Sequence, residues 1–143
     1  MQIACAARNA IVSVALFALL AIGCGRVEKA AEKTRDTKEL SQIGFLYQNY
    51  MDINNKAPAS AEDLIKIAGR DRRSAQVVEA AKSGKYVILW GASNPRNGTN
   101  ASNTILGYEK DAPSAGGLVL MGDGNVKNMT AEEFQSAPKA AGK

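Results

Sequence analysis

The spacing of apolar residues predicts helices in the first half of the chain. Between Leu40 and Tyr50, apolar side chains recur every three or four residues, which is typical of a helix with one buried face. A second, shorter helix is predicted after Ser60, which stands in the N-cap position with Asp63 three residues later. A third is predicted to end at Gly84, because glycine commonly terminates helices.

The period changes after these helices. The stretches KYVILWG (85–91) and NTILGYEK (103–110) are short and rich in β-branched and aromatic residues, so they predict strands. The segment DAPSAGG (111–117) that follows predicts a turn or a short loop.

The last part of the chain predicts a hairpin and a closing helix. Asp123 and Gly124 stand between two apolar runs, which predicts a tight turn with positive φ at both central positions. Thr130 and Glu133 have the spacing of a capping box at the start of a helix. The order predicts an α+β fold: an N-terminal helix packed on an antiparallel sheet of three to four strands, with short extra helices.

The N-terminal segment predicts export. Residues 11–22 are apolar except for Ser13, and Arg8 precedes them. A membrane-spanning helix needs about 20 apolar residues, whereas a run of this length fits the central region of a secretory signal. We therefore predict that residues 1–23 are a signal peptide.

The end of this run resembles the lipobox of bacterial lipoproteins. The matching residues are LAIGC, Leu20 to Cys24, with Ala21 where that family prefers leucine. The resemblance implies that the Cys24 sulfur carries a diacylglyceryl group and that Cys24 is the first residue after cleavage. The alternative is an ordinary cleaved signal with an unmodified cysteine. With two or more acyl chains the protein would be stably anchored in the cell envelope, facing the periplasm or the exterior.

The remaining chain divides into three segments by composition. Residues 24–39 are polar and predict either a linker or the exposed start of a helix. Residues 40–137 contain the predicted α+β domain, and residues 138–143 predict a disordered tail.

Two long stretches resemble the globular domain of type II secretion pseudopilins, a prepilin-like class. They are LSQIGFLYQNYMDINNKAPASAEDL (40–64) and GGLVLMGDGNVKNMTAEEF (116–134). The resemblance implies a pilin-like fold and a structural or interaction role beside a secretion or pilus-like apparatus. The long apolar stem of true prepilins is missing, since polar residues follow Gly44 and Phe45. Filament assembly through such a stem is therefore not expected.

Composition argues against catalysis and nucleic-acid binding. The chain has no histidine, so the commonest general base and metal ligand is missing. Ser83 and Lys85 lie two residues apart at the predicted helix–strand junction, which is a weak pattern for a serine–lysine nucleophile. The net charge is +4, from 18 Lys and Arg against 14 Asp and Glu, and the basic residues are scattered. We expect a non-enzymatic protein whose partners are the membrane, through the lipid, and an envelope protein.

A calcium site is the alternative chemistry. Some pseudopilins bind Ca²⁺ in a loop between late strands, and the candidate ligands here are Asp111, Asp123 and Asn125. A turn alone also explains the Asp123–Asn125 stretch. The second functional hypothesis is a lipid-anchored module that binds Ca²⁺ or a small ligand in the 92–103 loop. No other cofactor is expected.

Overall fold

The computed structural model describes residues 24–69, 71–92 and 100–142. The predicted signal peptide and the middle of the 92–103 loop lie outside this part of the chain. Contacts divide the chain into two units, the first ending at Arg35 and the second beginning at Asp36.

Helix α1 spans Cys24–Asn54 and belongs to both units. Its residues 28–35 are exposed, and all of 24–39, expected as a linker or a helix start, is helical. In the second unit, α1 buries the predicted apolar stripe: Leu40, Ile43, Leu46, Tyr47 and Tyr50. The helix ends where Asn55 adopts a left-handed φ of 50°, a conformation that asparagine tolerates. No helix in the described ranges is long and apolar enough to cross a membrane.

Two short helices follow, α2 (Ala61–Ala68) and α3 (Arg72–Lys82). Ser60 occupies the N-cap position of α2, but its hydroxyl does not cap the helix. Instead, the Asp63 carboxylate accepts a hydrogen bond from the Ala59 N–H at 2.9 Å. The Asp63 carboxylate, rather than the Ser60 hydroxyl, therefore fixes the start of α2.

Four strands form one antiparallel sheet in the order β1-β2-β3-β4. The strands are β1 (Tyr86–Ile88), β2 (Ile105–Glu109), β3 (Gly117–Met121) and β4 (Val126–Met129). With α1 packed against the sheet, the fold is α+β, as predicted. β1 is shorter than expected because the chain turns at Gly91, which has a φ of 72° and donates its N–H to the Pro58 carbonyl at 2.8 Å.

The segment between β2 and β3 is helical, so the predicted turn or loop at 111–117 is wrong in part. Helix α4 spans Ala112–Ala115. Pro113 lies in its first turn, where the missing N–H of proline does no harm. Gly116 ends the helix with a φ of 74°.

The β3–β4 hairpin has a different turn from the predicted one. Gly124 is the only turn residue with positive φ, at 88°, and Asp123 does not share it. The Gly124 N–H donates to the Met121 carbonyl at 2.9 Å, and the Met121 N–H donates to the Asn125 carbonyl at 2.8 Å. These bonds define a three-residue loop, in which one left-handed glycine follows a turn. A two-residue loop would have needed positive φ twice.

The last helix, α5, spans Ala131–Ser136 and has the predicted capping box. The Thr130 hydroxyl accepts the Glu133 N–H at 3.2 Å, and the Glu133 carboxylate accepts the Thr130 N–H at 2.8 Å.

Residues 138–142, which we name the C-terminal strap, were expected to belong to a disordered tail. The structure instead places the strap beside β2. The Ile105 N–H donates to the Pro138 carbonyl, and the Ala140 N–H donates to the Ile105 carbonyl, both at 2.8 Å. The pairing is parallel.

Strand β3 is buried on both faces. Along β3, Leu118 and Leu120 join the main core with α1, whereas Val119 and Met121 join a smaller core built around Phe134 of α5. Side chains alternate between the two faces of a strand, so the continuous run of apolar residues in β3 supplies both cores.

Candidate functional site

Cys24 is the residue on which the predicted membrane attachment depends. The structure places its backbone at the first position of α1. Its side chain and the lipobox residues before it lie outside the described part of the molecule. The lipid on Cys24 therefore stays a prediction from the sequence.

The three candidate calcium ligands do not come together. Asp111 precedes α4 at one end of the β2–β3 pair, near the pairing of Tyr108 with Val119. Asp123 and Asn125 lie at the opposite end, beyond the pairing of Ile105 with Met121. One ion cannot contact both ends of a strand pair.

The Asp123 carboxylate is also engaged within its own turn. It accepts the Asn125 backbone N–H at 3.0 Å and the Asn125 side-chain amide at 2.8 Å. Across the described ranges, no group of three or more His, Cys, Asp or Glu residues is arranged to hold a metal ion. Residues 93–99 of the candidate binding loop lie outside those ranges, so calcium binding there stays a prediction.

A groove lies between α1 and the tip of the β3–β4 hairpin. Its volume is about 260 Å³, and we name it the helix groove. It is lined by Ser41, Gly44, Phe45, Gln48, Asn49, Asp52 and the hairpin residues Asp123, Gly124 and Asn125. On the helix side Phe45 is exposed over 59% of its surface, and Ile53, one turn beyond Asn49, is exposed over 63%.

Gln48 joins the two sides of the helix groove. Its side-chain amide donates to the Gly122 carbonyl at 3.0 Å, which ties α1 to the hairpin. Its Oε1 atom is buried and has no hydrogen-bond partner among the residues that the structure describes. Gln48 therefore combines a hydrogen bond with an unpaired buried acceptor.

A polar cluster connects α1 to β1, and we name it the Lys85 cluster. The Lys85 ammonium contacts the carboxylates of Asp36 and Glu39, the latter at 3.4 Å. The Tyr86 hydroxyl donates to the Glu39 carboxylate at 3.1 Å. The cluster holds the first buried turn of α1 against the sheet.

The electrostatics of this cluster follow from burial and pairing. Burial raises the pKa of Tyr86 well above its ordinary value, and the nearby Lys85 ammonium opposes this shift. Burial is the largest single influence on Lys85 and disfavours its charge, but its contacts with Asp36 and Tyr86 together outweigh the burial, so the pKa of Lys85 is raised. Both groups therefore stay protonated at neutral pH.

The same contacts give the Ser83 hydroxyl and the Lys85 ammonium different partners. The Ser83 hydroxyl donates to the Ala80 carbonyl at 2.8 Å, whereas Lys85 is engaged by Asp36. A serine–lysine nucleophile needs the ammonium or amine beside the hydroxyl oxygen. The pair is therefore part of the structure of the α3–β1 junction.

Tyr47 connects α1 to the end of β1. Its ring stacks on Trp90 with 6.2 Å between centroids. Its hydroxyl donates to the carbonyls of Ala92 at 3.2 Å and Leu89 at 3.3 Å. Burial raises the pKa of Tyr47 to about 12. Tyr47 and Trp90 thus contribute to packing.

Sequence reasoning missed the Lys85 cluster, although part of its signal was available. Asp36, Leu40 and Ile43 recur at helical spacing, so Asp36 falls on the buried face of α1. An acidic residue on that face requires a cationic partner. The position of that partner, 49 residues away along the chain, depends on the fold.

Comparison with known proteins finds no relative of this chain. No family model matches the chain, and the searches of the curated proteins and of the solved structures found no match.

Proposed function

We propose that the protein is a lipid-anchored bacterial cell-envelope protein with a pseudopilin-like domain and a structural or interaction role, without catalysis. The observation that carries this proposal is the stretch from Leu20 to Cys24, where a short apolar run ends in a lipobox-like motif. Acylation of Cys24 would attach the chain to the membrane without a spanning helix.

The segment after Cys24 has the properties of a spacer. Residues 28–35 are helical, exposed and mostly charged or small. As a helix, residues 24–35 have a length of about 18 Å, from a rise of about 1.5 Å per residue. Such a segment would be exposed to water next to the acylated Cys24.

The pseudopilin part of the proposal is supported by the order of elements. A long N-terminal helix lies against an antiparallel sheet whose strands follow one another in chain order. The same order is expected from the resemblance of residues 40–64 and 116–134 to that class. A charged segment stands where a prepilin has its apolar stem, which favours a role beside an assembly over one inside a filament.

The interaction part of the proposal is supported by the helix groove. Phe45 and Ile53 expose large apolar side chains on the same helix as the groove. Exposed apolar residues framed by polar ones are typical of protein-interaction surfaces. We therefore place the contact with an envelope partner on this surface of α1.

The anchor is tested by a pair of cysteine variants. In C24S the sulfur that would be acylated is lost, so we expect no incorporation of labelled fatty acid, an uncleaved precursor, and release from the membrane fraction. The matched control is C5S, which removes the other cysteine of the chain. C5S should be labelled and processed like the parent protein. Mass spectrometry should identify acylated Cys24 as the first residue. Unchanged labelling and membrane retention in C24S would refute the anchor.

The interaction role is tested by crosslinking in intact cells followed by affinity capture. We expect one envelope protein to be crosslinked to the parent protein and to be lost from the Phe45→Glu variant. The control is Ile65→Glu, because Ile65 is an exposed apolar residue on α2, outside the helix groove. Equal capture by both variants would argue against the groove as the contact.

A further inference from the structure

The helix groove is an acidic site on a basic chain. The chain carries a net charge of +4, yet the groove is lined by two carboxylates, Asp52 on α1 and Asp123 at the tip of the β3–β4 hairpin. Among the described residues that line the groove, none is lysine or arginine. Complementary charge steers association and favours one kind of partner over another. The groove is therefore matched in charge to a cationic group.

Gln48 supplies a second observation that points to a ligand. It lines the groove and is only 7% exposed. Its Oε1 atom is bonded by none of the residues that the structure describes. A buried acceptor without a hydrogen bond costs free energy, which a donor that enters the groove would recover. The groove therefore favours a group that donates hydrogen bonds as well as carrying positive charge.

The two walls of the helix groove are tied together before any ligand binds. The Gln48 amide donates to the Gly122 carbonyl at 3.0 Å, and the Gly122 N–H donates to the Thr104 carbonyl at 2.8 Å. Gly122 is thus bonded both to α1 and to the residue that precedes β2, and Asp123 follows it directly in the chain. A site that is formed in advance loses less conformational entropy on binding.

We propose that the helix groove binds an arginine side chain of the envelope partner. The inference rests on the proposed function, because it names the group by which that partner enters the groove. Pockets for drug-sized ligands measure about 300–1,000 Å³, whereas the groove has a volume of about 260 Å³. It therefore suits one side chain of a protein better than a whole small molecule.

A guanidinium group fits the helix groove better than an ammonium group does. It has five N–H donors in one plane and no acceptor, which suits a site whose charged groups are carboxylates. It also stacks on aromatic rings, and the groove offers the ring of Phe45, which is exposed over 59% of its surface.

The Asp123 carboxylate has capacity left for such a ligand. Its two oxygens accept one hydrogen bond each, from the backbone N–H and from the side-chain amide of Asn125. An ionised carboxylate has about four lone-pair sites, so it can accept further hydrogen bonds from a guanidinium group. Asp123 is therefore the residue at which the charge of the groove is tested.

The test is an NMR titration of the full chain in detergent with Nα-acetylarginine amide. We expect saturable shifts, with a dissociation constant in the millimolar range, in the side-chain amide of Gln48 and in the backbone amides of Gly122 and Gly124. Nα-acetylcitrulline amide, which has a similar shape and no charge, should give no saturable shift there. Nα-acetyllysine amide should bind severalfold more weakly. The proposal is overturned if the citrulline or the lysine compound binds as well as the arginine compound.

A matched pair of charge variants separates the helix groove from the rest of the surface. Asp123→Asn keeps an acceptor for Asn125 and removes the charge, so the arginine compound should bind about fivefold more weakly. Asp111→Asn removes an exposed carboxylate at the opposite end of the β2–β3 pair and should leave binding unchanged. An equal loss in the two variants, or no loss in Asp123→Asn, also overturns the proposal.

The same variants distinguish failure of this inference from failure of the proposed function. In the crosslinking experiment, Asp123→Asn should reduce capture of the envelope partner, and Asp111→Asn should not. If Phe45→Glu abolishes capture while Asp123→Asn leaves it unchanged, the groove is the contact and the arginine inference is overturned. If the arginine compound binds as expected and no envelope protein is captured, the proposed interaction role fails and the guanidinium site is supported.

Discussion

Replacing Lys85 by methionine tests whether the Lys85 cluster stabilises the fold. Methionine keeps most of the side-chain volume and removes the charge that pairs with Asp36, whose side chain is only 11% exposed. Removing one partner of a fully buried pair costs about 3–5 kcal/mol, and an exposed pair contributes about 0–1 kcal/mol. Because the Lys85 side chain is 39% exposed, we expect a loss of about 1–3 kcal/mol in the free energy of unfolding.

The assay is urea unfolding followed by fluorescence of Trp90, the only tryptophan of the chain. Lys85→Met should lower the urea midpoint without changing the slope of the transition. The control is Lys66→Met, because Lys66 pairs with Asp63 but is 69% exposed. We expect this control to lose less than about 1 kcal/mol. Adding Asp36→Asn to Lys85→Met should recover part of the loss, since it removes the unpaired carboxylate.

Two results would refute this reasoning. The first is equal destabilisation by Lys85→Met and Lys66→Met, which would mean that the lower exposure of Lys85 compared with Lys66 has no energetic effect. The second is a Lys85→Met effect that vanishes in 1 M salt, because screening of that strength is expected only for exposed charges.

Three further predictions concern other contacts of the fold. Gly44→Val should lower the free energy of unfolding by about 1–3 kcal/mol in urea, because a Cβ atom at Gly44 would lie 2.7 Å from the Leu120 side chain. Adding Leu120→Ala to Gly44→Val should relieve this clash. Thr130→Ala should cost about 1 kcal/mol in thermal melting through loss of the α5 cap, and Thr130→Ser should cost less. Burial raises the pKa of Tyr86, so the folded state holds this proton more tightly, and stability present below pH 10 should fall as the pH rises further. Tyr86→Phe should lose less stability than the parent between pH 9 and 11, and an equal loss would contradict the assignment.

Local sequence patterns predicted correctly those elements whose structure depends on neighbouring residues along the chain. The stripe from Leu40 to Tyr50 and the box formed by Thr130 and Glu133 need only neighbours along the chain, and both are present as predicted. The α+β class follows from the order of these elements. The hairpin turn was placed correctly at Asp123 and Gly124, but its type was not.

The remaining features depend on contacts between distant segments. β1 is short because Gly91 bonds to Pro58, and the strap is ordered because β1 leaves Ile105 unpaired. No local pattern in residues 138–142 indicates a strand. Likewise, the Lys85 cluster requires α1 and β1 to lie side by side. The sequence alone could therefore indicate only that Asp36 is buried, and not that Lys85 is its partner.

The burial of β3 on both faces has a consequence for how the sheet finds its alignment. A slip by one residue usually turns apolar side chains towards water, and this penalty normally fixes strand register. In β3 a slip would only exchange Leu118 and Leu120 with Val119 and Met121. Alignment must therefore come from other features, such as the Glu109 carboxylate that accepts the Leu118 N–H at 2.7 Å. Glu109 would then fix the register of β3 against β2. Its replacement would favour a shifted pairing of these two strands over simple unfolding.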